Sequence, residues 1–382
     1  MKKNILIFGL INNFGGREIE VRNIIEVLSK QYNVRLISLL HMSKESVAIK
    51  DLDCSSTTIY KELYNSSLIL KGLSYFSKIY NNSKLPTYFL VENKLSLKFC
   101  NIADKKISLL QKEIDQADAI LYCGVLNLTI LNDVITYCEK INKPIAVRTT
   151  GEICKINKSL GKLLPIVSSI LVHSKSNTKF LNTITPNNVS IIDQTTLLEK
   201  ELLKIPVAIK QDLVFGYLGR FSNEKGIIEL LEIFKKNNLK IIVAGNGNLE
   251  SDVLDLINDK NDFIGEVSPD DLEFFFNKID VLIIPSHEEA GPLVGIEAMA
   301  AGKIIFSTEV GAMKERLSDT KNNFWFDINK EQSFLQLLSR LKNIEPEEIK
   351  VIRETNRKKY LGNYSNDKIS NEYLNMFHEL IC

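Results

Sequence analysis

The stretch PSHEEAGPLVGIEAMAAG, residues 285–302, decides the reading of this chain. The apolar run Val281 to Pro285 has the character of a buried strand, and Ile296 to Ala301 is a run of helix formers. The order is strand, polar loop, helix, with a Gly-Pro break at Gly291-Pro292. Glu289 falls in the loop, and Glu297, eight residues on, falls about one turn into the helix. The amides of Leu293 and Val294 open that helix, and such an end attracts anions. Carboxylates placed to accept from hydroxyls, beside amides placed to receive phosphate, fit a sugar nucleotide.

With 382 residues the chain is long enough for two domains. Hydrophobic residues at 45% and charged residues at 25% are those of a soluble globular protein. A formal net charge of +1 supplies no field for nucleic acid, which is excluded as a partner on that ground. The six cysteines, Cys54, Cys100, Cys123, Cys138, Cys154 and Cys382, form no C-x-x-C pair. That pattern fits reduced thiols in a cytoplasm rather than a disulfide framework or a zinc site. The apolar core of the first residues, Ile5 to Ile11, is short and no small-residue cleavage site follows, so it reads as a first strand and not a signal peptide. No stretch approaches the ~18–20 apolar residues of a membrane span.

The first half opens with a strand at Asn4–Leu10, a loop at Asn12–Gly16, a helix near Glu18–Lys30 and a strand at Val34–Leu40. Further strands are expected at Ala119–Tyr122, Ile145–Arg148 and Ser169–Val172, with a helix at Leu128–Lys140. The alternation restarts near residue 212. It predicts strands at Leu213–Leu218, Lys240–Ala244, Asp262–Ile264, Asp280–Pro285, Lys303–Ser307 and Asn323–Phe326, and helices at Gly226–Lys236 and Leu249–Asn258. Ser268-Pro269-Asp270-Asp271 is a helix start, with a capping Ser, Pro at the first position and acids in the first turn. Two α/β domains with parallel, doubly wound sheets follow, joined in Ile192–Gln211. The amphipathic segment Asn366–Leu380 carries Ile369, Tyr373, Met376, Phe377 and Leu380 on one face and must dock on something already folded.

The strand Leu213–Leu218 runs into Gly219-Arg220-Phe221-Ser222-Asn223-Glu224-Lys225-Gly226. Gly219 lets the chain turn at the strand's C-terminal edge, where open parallel sheets bind ligands. Arg220 offers a fork for phosphate oxygens and Lys225 a compact charge. In the first half Asn13-Phe14-Gly15-Gly16-Arg17-Glu18 stands between the first strand and the first helix, where glycine lets a backbone come close to a ligand.

Here the pattern becomes specific. GR-x4-KG, followed by E-x7-E inside an EAMA helix and preceded far upstream by Gly-Gly-x-Glu, resembles the family-4 glycosyltransferases of GT-B fold. The resemblance covers essentially the whole chain and is strongest from Gly216 to Gly311. It implies two Rossmann-like domains facing each other across a cleft. An acceptor domain would comprise residues 1–200 with a returning helix at 365–382, and a nucleotide-sugar domain residues 201–364. It implies that Arg220 and Lys225 bind the donor diphosphate, that Glu297 takes the ribose hydroxyls and that Glu289 contacts the donor sugar. Gly219, the backbone of Gly291, Pro292, Leu293 and Val294, Gly15 and Gly16 would complete the cradle, with Val267 along the base. The implied activity is retaining transfer of a hexose-type sugar to a glycan or lipid-linked acceptor in cell-surface polysaccharide synthesis. The nucleotide sugar would be a substrate, with no cofactor and no metal. A nucleotide-sugar epimerase of the same fold, or a non-catalytic binding subunit, would share these motifs.

Some features depart from that family. A His common after the strand equivalent to Ile145–Arg148 is replaced by Thr149-Thr150-Gly151-Glu152, leaving Thr150 or Glu152 as acceptor-side candidates, and the usual Pro-Asn-Gly becomes Asp193-Gln194-Thr195. Asp51-Leu52-Asp53 spells the D-x-D of metal-dependent transferases but sits in a polar stretch that reads as surface loop. His287 adjoins Glu289, whereas His41, His173 and His378 have no partner pattern. Gly245-Asn246-Gly247 begins like a dinucleotide fingerprint but has Glu250 for the last glycine. Residues 68–106 carry seven lysines against Glu92 and Asp104, interleaved with aromatics. A peripheral contact with the inner face of the membrane and an ordinary solvated face both fit that composition.

Overall fold

A computed structural model of the protein describes residues 2–381 apart from residues 152, 154, 186, 209–211 and 258–261. The chain divides into two compact units, one of Met1–Val172, Thr178–Ile192 and Ser370–Cys382, the other of His173–Asn177 and Asp193–Ile369.

In the first unit seven parallel strands are found among the described residues: β1 (Asn4–Gly9), β2 (Asn33–Ser38), β3 (Ser55–Thr58), β4 (Ala119–Gly124), β5 (Ile145–Thr149), β6 (Ser169–Val172) and β7 (Val189–Ile191). Their spatial order is β3-β2-β1-β4-β5-β6-β7. Every residue of β4, β5 and β6 is buried, as expected of strands covered by helices on both faces. The two edge strands, β3 and β7, were not predicted. Ser55–Thr58 is polar and Val189–Ile191 is three residues long, so neither carries the apolar run that marks an inner strand. Asp51 and Asp53 lie in the exposed loop before β3. The final helix, Asn366–Ile381, buries Ile369, Tyr373 and Phe377, three of the five residues expected on its apolar face. Within the first unit it is anchored by polar groups. The Tyr373 hydroxyl donates to Glu20 at 3.4 Å, and the same carboxylate receives Arg148 Nε at 2.5 Å. All three side chains are buried.

The second unit contains five parallel strands among the described residues: β8 (Phe215–Leu218), β9 (Ile242–Ala244), β10 (Phe263–Gly265), β11 (Val281–Ile284) and β12 (Ile304–Ser307), in the order β10-β9-β8-β11-β12. The strand expected at Asn323–Phe326 is reduced to a single bridge between Ser307 and Trp325. Phe324 and Phe326 are nonetheless buried, with Phe324 stacked on Phe306 at 4.9 Å between centroids. Side-chain burial rather than a hydrogen-bonded ladder sets the alternation there. The helix start at Ser268-Pro269 makes one 3-10 turn, Pro269–Asp271, before the α-helix Leu272–Lys278.

Both sheets reverse their direction of growth once. In the first, β1 leads to β2 and β3 on one side while β4 to β7 lie on the other; in the second, the reversal falls between β8 and β11. At such a switch point the loops leaving two neighbouring strands diverge and open a crevice at their C-terminal edge. The loops leaving β8 and β11 carry the two motifs singled out above.

Candidate functional site

The loops after β8 and β11 are locked together. Gly226 holds φ +63°, a left-handed conformation that glycine adopts without strain. A Cβ there would lie 2.2 Å from the Pro285 carbonyl oxygen, so the close approach of the two loops also demands glycine. The His287 amide donates to the Glu224 carbonyl at 2.9 Å, and the His287 ring meets Glu229 at 3.1 Å. The Glu224 carboxylate accepts from Ser222 at 2.6 Å, and that bond holds its pKa below the usual range. Lys225 pairs with Glu289, which also accepts from Ser286 at 3.2 Å. The Arg220 carbonyl accepts from the Tyr217 hydroxyl at 2.9 Å, while its exposed guanidinium makes no hydrogen bond or ion pair among the described residues. Gly219 continues the sheet pattern, donating to Ala244 at 3.1 Å.

Behind the loop, Gly311 holds φ +49°, and a Cβ there would lie 2.4 Å from the Ala290 carbonyl and 2.5 Å from that of Glu289. The helix Leu293–Ala300 follows Pro292, with no side chain capping its first amides. Glu297 lies one turn inside it, only 6% exposed. Its carboxyl makes no hydrogen bond among the described residues, and burial pushes its pKa up to about 8. A buried carboxyl without donors is poised for a ligand that brings hydroxyls, because those bonds favour its ionised form.

Arg316 was not foreseen. It is fully buried and gives 2.6 Å and 3.0 Å bonds to the two Asp193 oxygens, one of 3.1 Å to Gln194 and one of 2.6 Å to the Pro292 carbonyl. It therefore ties the residue before the Leu293 helix to Asp193-Gln194. His173, which showed no partner pattern in the sequence, stands 3.8 Å from Asp193. A Cβ on Gly291 would lie 2.8 Å from the Arg316 guanidinium and 3.2 Å from the His173 ring. Nothing local in the sequence signals this arrangement, since Arg316 lies 123 residues from Asp193.

In the first unit, Gly15 caps and Gly16 opens the helix Gly16–Leu28 that follows β1. Arg17, also unforeseen, donates to the Leu10 carbonyl at 2.6 Å and to the Thr150 hydroxyl at 3.2 Å, joining the loops after β1 and β5. The Glu18 carboxylate accepts from the Asn12 amide at 2.7 Å. Glu152 lies outside the described residues. Val267 is buried after β10.

A parallel α/β sheet in each of two units, with both motif loops at the second sheet's switch point, is the architecture of the GT-B class of fold. Residues 199–359 match the family described as glycosyl transferases group 1. The chain is 36% identical over 124 residues to the lipopolysaccharide 1,2-N-acetylglucosaminetransferase of Salmonella typhimurium, covering 28% of this chain and 32% of that one. It is 27% identical over 187 residues to the capsular polysaccharide biosynthesis glycosyltransferase CapM of Staphylococcus aureus, covering 45% and 48%. The alignments thus span about a third to a half of these relatives. The structure of Anabaena HepE in complex with UDP and glucose superposes with a TM-score of 0.68 over 99% of this chain and 100% of that one, at 12% identity.

Proposed function

We propose that this protein is a retaining glycosyltransferase that moves a hexose-type sugar from a nucleoside diphosphate to a glycan or lipid-linked acceptor in cell-surface polysaccharide synthesis. The observation that carries the reading is the meeting of the β8 and β11 loops at the switch point. There Arg220 and the Lys225–Glu289 pair stand on the loops that also lead to the uncapped helix holding Glu297. The match of residues 199–359 supports it, as do the names of the relatives.

In this reading the departing β-phosphate gathers negative charge as the sugar–phosphate bond breaks. Arg220, Lys225 and the amides of Leu293 and Val294 stabilise that charge. Glu289, already within reach of Lys225, turns to the sugar hydroxyls when phosphate takes over the lysine. Glu297 accepts the ribose hydroxyls. Val267 flanks the base. No metal is required by this scheme, because two cations and a helix end supply the positive field.

The test is incubation with a panel of labelled nucleotide sugars and sugar acceptors, following free nucleoside diphosphate and the anomer of the product. Turnover of one donor with retained configuration, lost in Arg220→Ala, is the expected result. Conversion of donor to an epimer without acceptor, or binding with no nucleotide release, would replace the reading.

A further inference from the structure

The helix Leu68–Tyr80 is folded with its amphipathicity reversed. It buries Leu70, Ser74 and Ser77 and turns Leu68, Ile69, Tyr75, Phe76, Ile79 and Tyr80 outward, each between 57% and 84% exposed. The outward positions recur at the spacing of one helical face. The inward serines are satisfied locally; Ser74 donates to the Leu70 carbonyl at 2.6 Å. Side by side with this helix packs the short helix Lys94–Phe99, which exposes Leu95, Leu97 and Phe99. An exposed aromatic and aliphatic face of this continuity marks an interaction surface rather than an ordinary solvated one.

We propose that this face docks on an anionic lipid surface. Charge selects the occupant. Residues 68–106 carry seven lysines against two acids, a net +5. Lys71 and Lys78 flank the apolar stripe, and Lys94 and Lys98 are exposed among the apolar residues of the second helix. A second copy of the chain would bring two such basic faces together, whereas a bilayer rich in acidic headgroups neutralises them. Tyrosine and phenylalanine at the headgroup boundary, with lysines reaching outward, is the arrangement of an interfacial helix. No helix among the described residues is long and apolar enough to cross a membrane, so the contact is with the surface. The proposal stands apart from the donor chemistry.

Flotation with vesicles of pure phosphatidylcholine, and with vesicles containing a third phosphatidylglycerol, tests it. The protein is expected to float with the anionic vesicles only, and release at high salt should be at least several-fold. Phe76→Ser with Tyr80→Ser, and separately Lys71→Glu with Lys78→Glu, should each reduce recovery about tenfold while the melting temperature holds. Equal recovery with both lipids, or unchanged recovery in both variants, overturns the proposal. So does a lipid-free dimer, seen by sedimentation, that the Phe76→Ser, Tyr80→Ser variant dissociates.

Discussion

Lys225 and Glu289, 64 residues apart in sequence, form an ion pair between the loops that leave β8 and β11. The carboxylate holds the lysine ammonium in place on the loop to which the proposed function assigns the donor phosphate. Arg220, by contrast, is exposed on the same loop.

If both cations act on the departing phosphate, Arg220→Ala and Lys225→Ala should each lower nucleotide-sugar turnover about a hundredfold or more. The melting temperature should change little, because Arg220 is exposed and a partly exposed ion pair such as Lys225–Glu289 contributes at most about 1 kcal/mol. Measured release of nucleoside diphosphate together with a thermal melt separates the two effects. Unchanged turnover in both variants would remove the phosphate role.

Glu297 makes stability depend on pH in a defined direction. Its folded pKa of about 8 lies above the ordinary value of 4.5, so between those limits the folded state binds more protons than the unfolded one. The stabilising effect of that proton is therefore fully present below about pH 4.5 and is lost as pH rises through 8. Glu297→Gln should flatten that part of the curve, which urea midpoints at pH 5, 6.5 and 8.5 would read. Nucleotide binding should strengthen over the same interval in the wild type, since the ribose hydroxyls prefer the carboxylate.

Arg316→Met leaves Asp193 buried without its main partner. Removing one side of such a pair costs about 3–5 kcal/mol. The double variant Arg316→Met, Asp193→Leu should recover much of that loss, a non-additivity that a denaturant-based double-mutant cycle would measure. Nucleotide affinity should stay reduced in the double variant, because the Pro292 carbonyl has lost its anchor.

Two glycines should respond in opposite directions. Gly226→Ala meets both a left-handed φ and the Pro285 carbonyl, and should destabilise by about 1–3 kcal/mol. Gly72→Ala lies within a helix with no atom within 4 Å of the new methyl, and should stabilise by about 0.5–1 kcal/mol. Chemical denaturation of both variants against the wild type is the check.

A thermal-shift panel of uridine, guanosine and adenosine diphosphates, with and without chelator, addresses the donor. A ligand at a hundred times its dissociation constant should stabilise by ~2.7 kcal/mol. One base should give a shift, and the shift should survive chelation. A response abolished by chelator would contradict the metal-free scheme.

The inner strands were legible because burial on both faces leaves a continuous apolar run, as in Ala119–Tyr122 and Val281–Pro285. The edges of the first sheet were not: Ser55–Thr58 is polar, and its strand pairs along β2 without an apolar run to announce it. Asn323–Phe326 shows the converse, an apolar alternation that packs without building a ladder. The positions of Glu289 in the loop and Glu297 in the helix could be read from turn and helix chemistry within twenty residues. Arg17 and Arg316 could not, since their contacts with Thr150 and Asp193 join segments 133 and 123 residues apart.

The chain's local order of strand, glycine turn, polar loop and helix, set by residue periodicity and backbone preference, already determined an α/β fold and where the loops carrying its two motifs begin. Tertiary structure decided which groups meet: that Lys225 pairs with Glu289, that Arg316 holds Pro292, and that Leu68–Tyr80 turns its aromatics outward. Those outcomes depend on close packing between segments distant in sequence, and no local pattern encodes the distance between them.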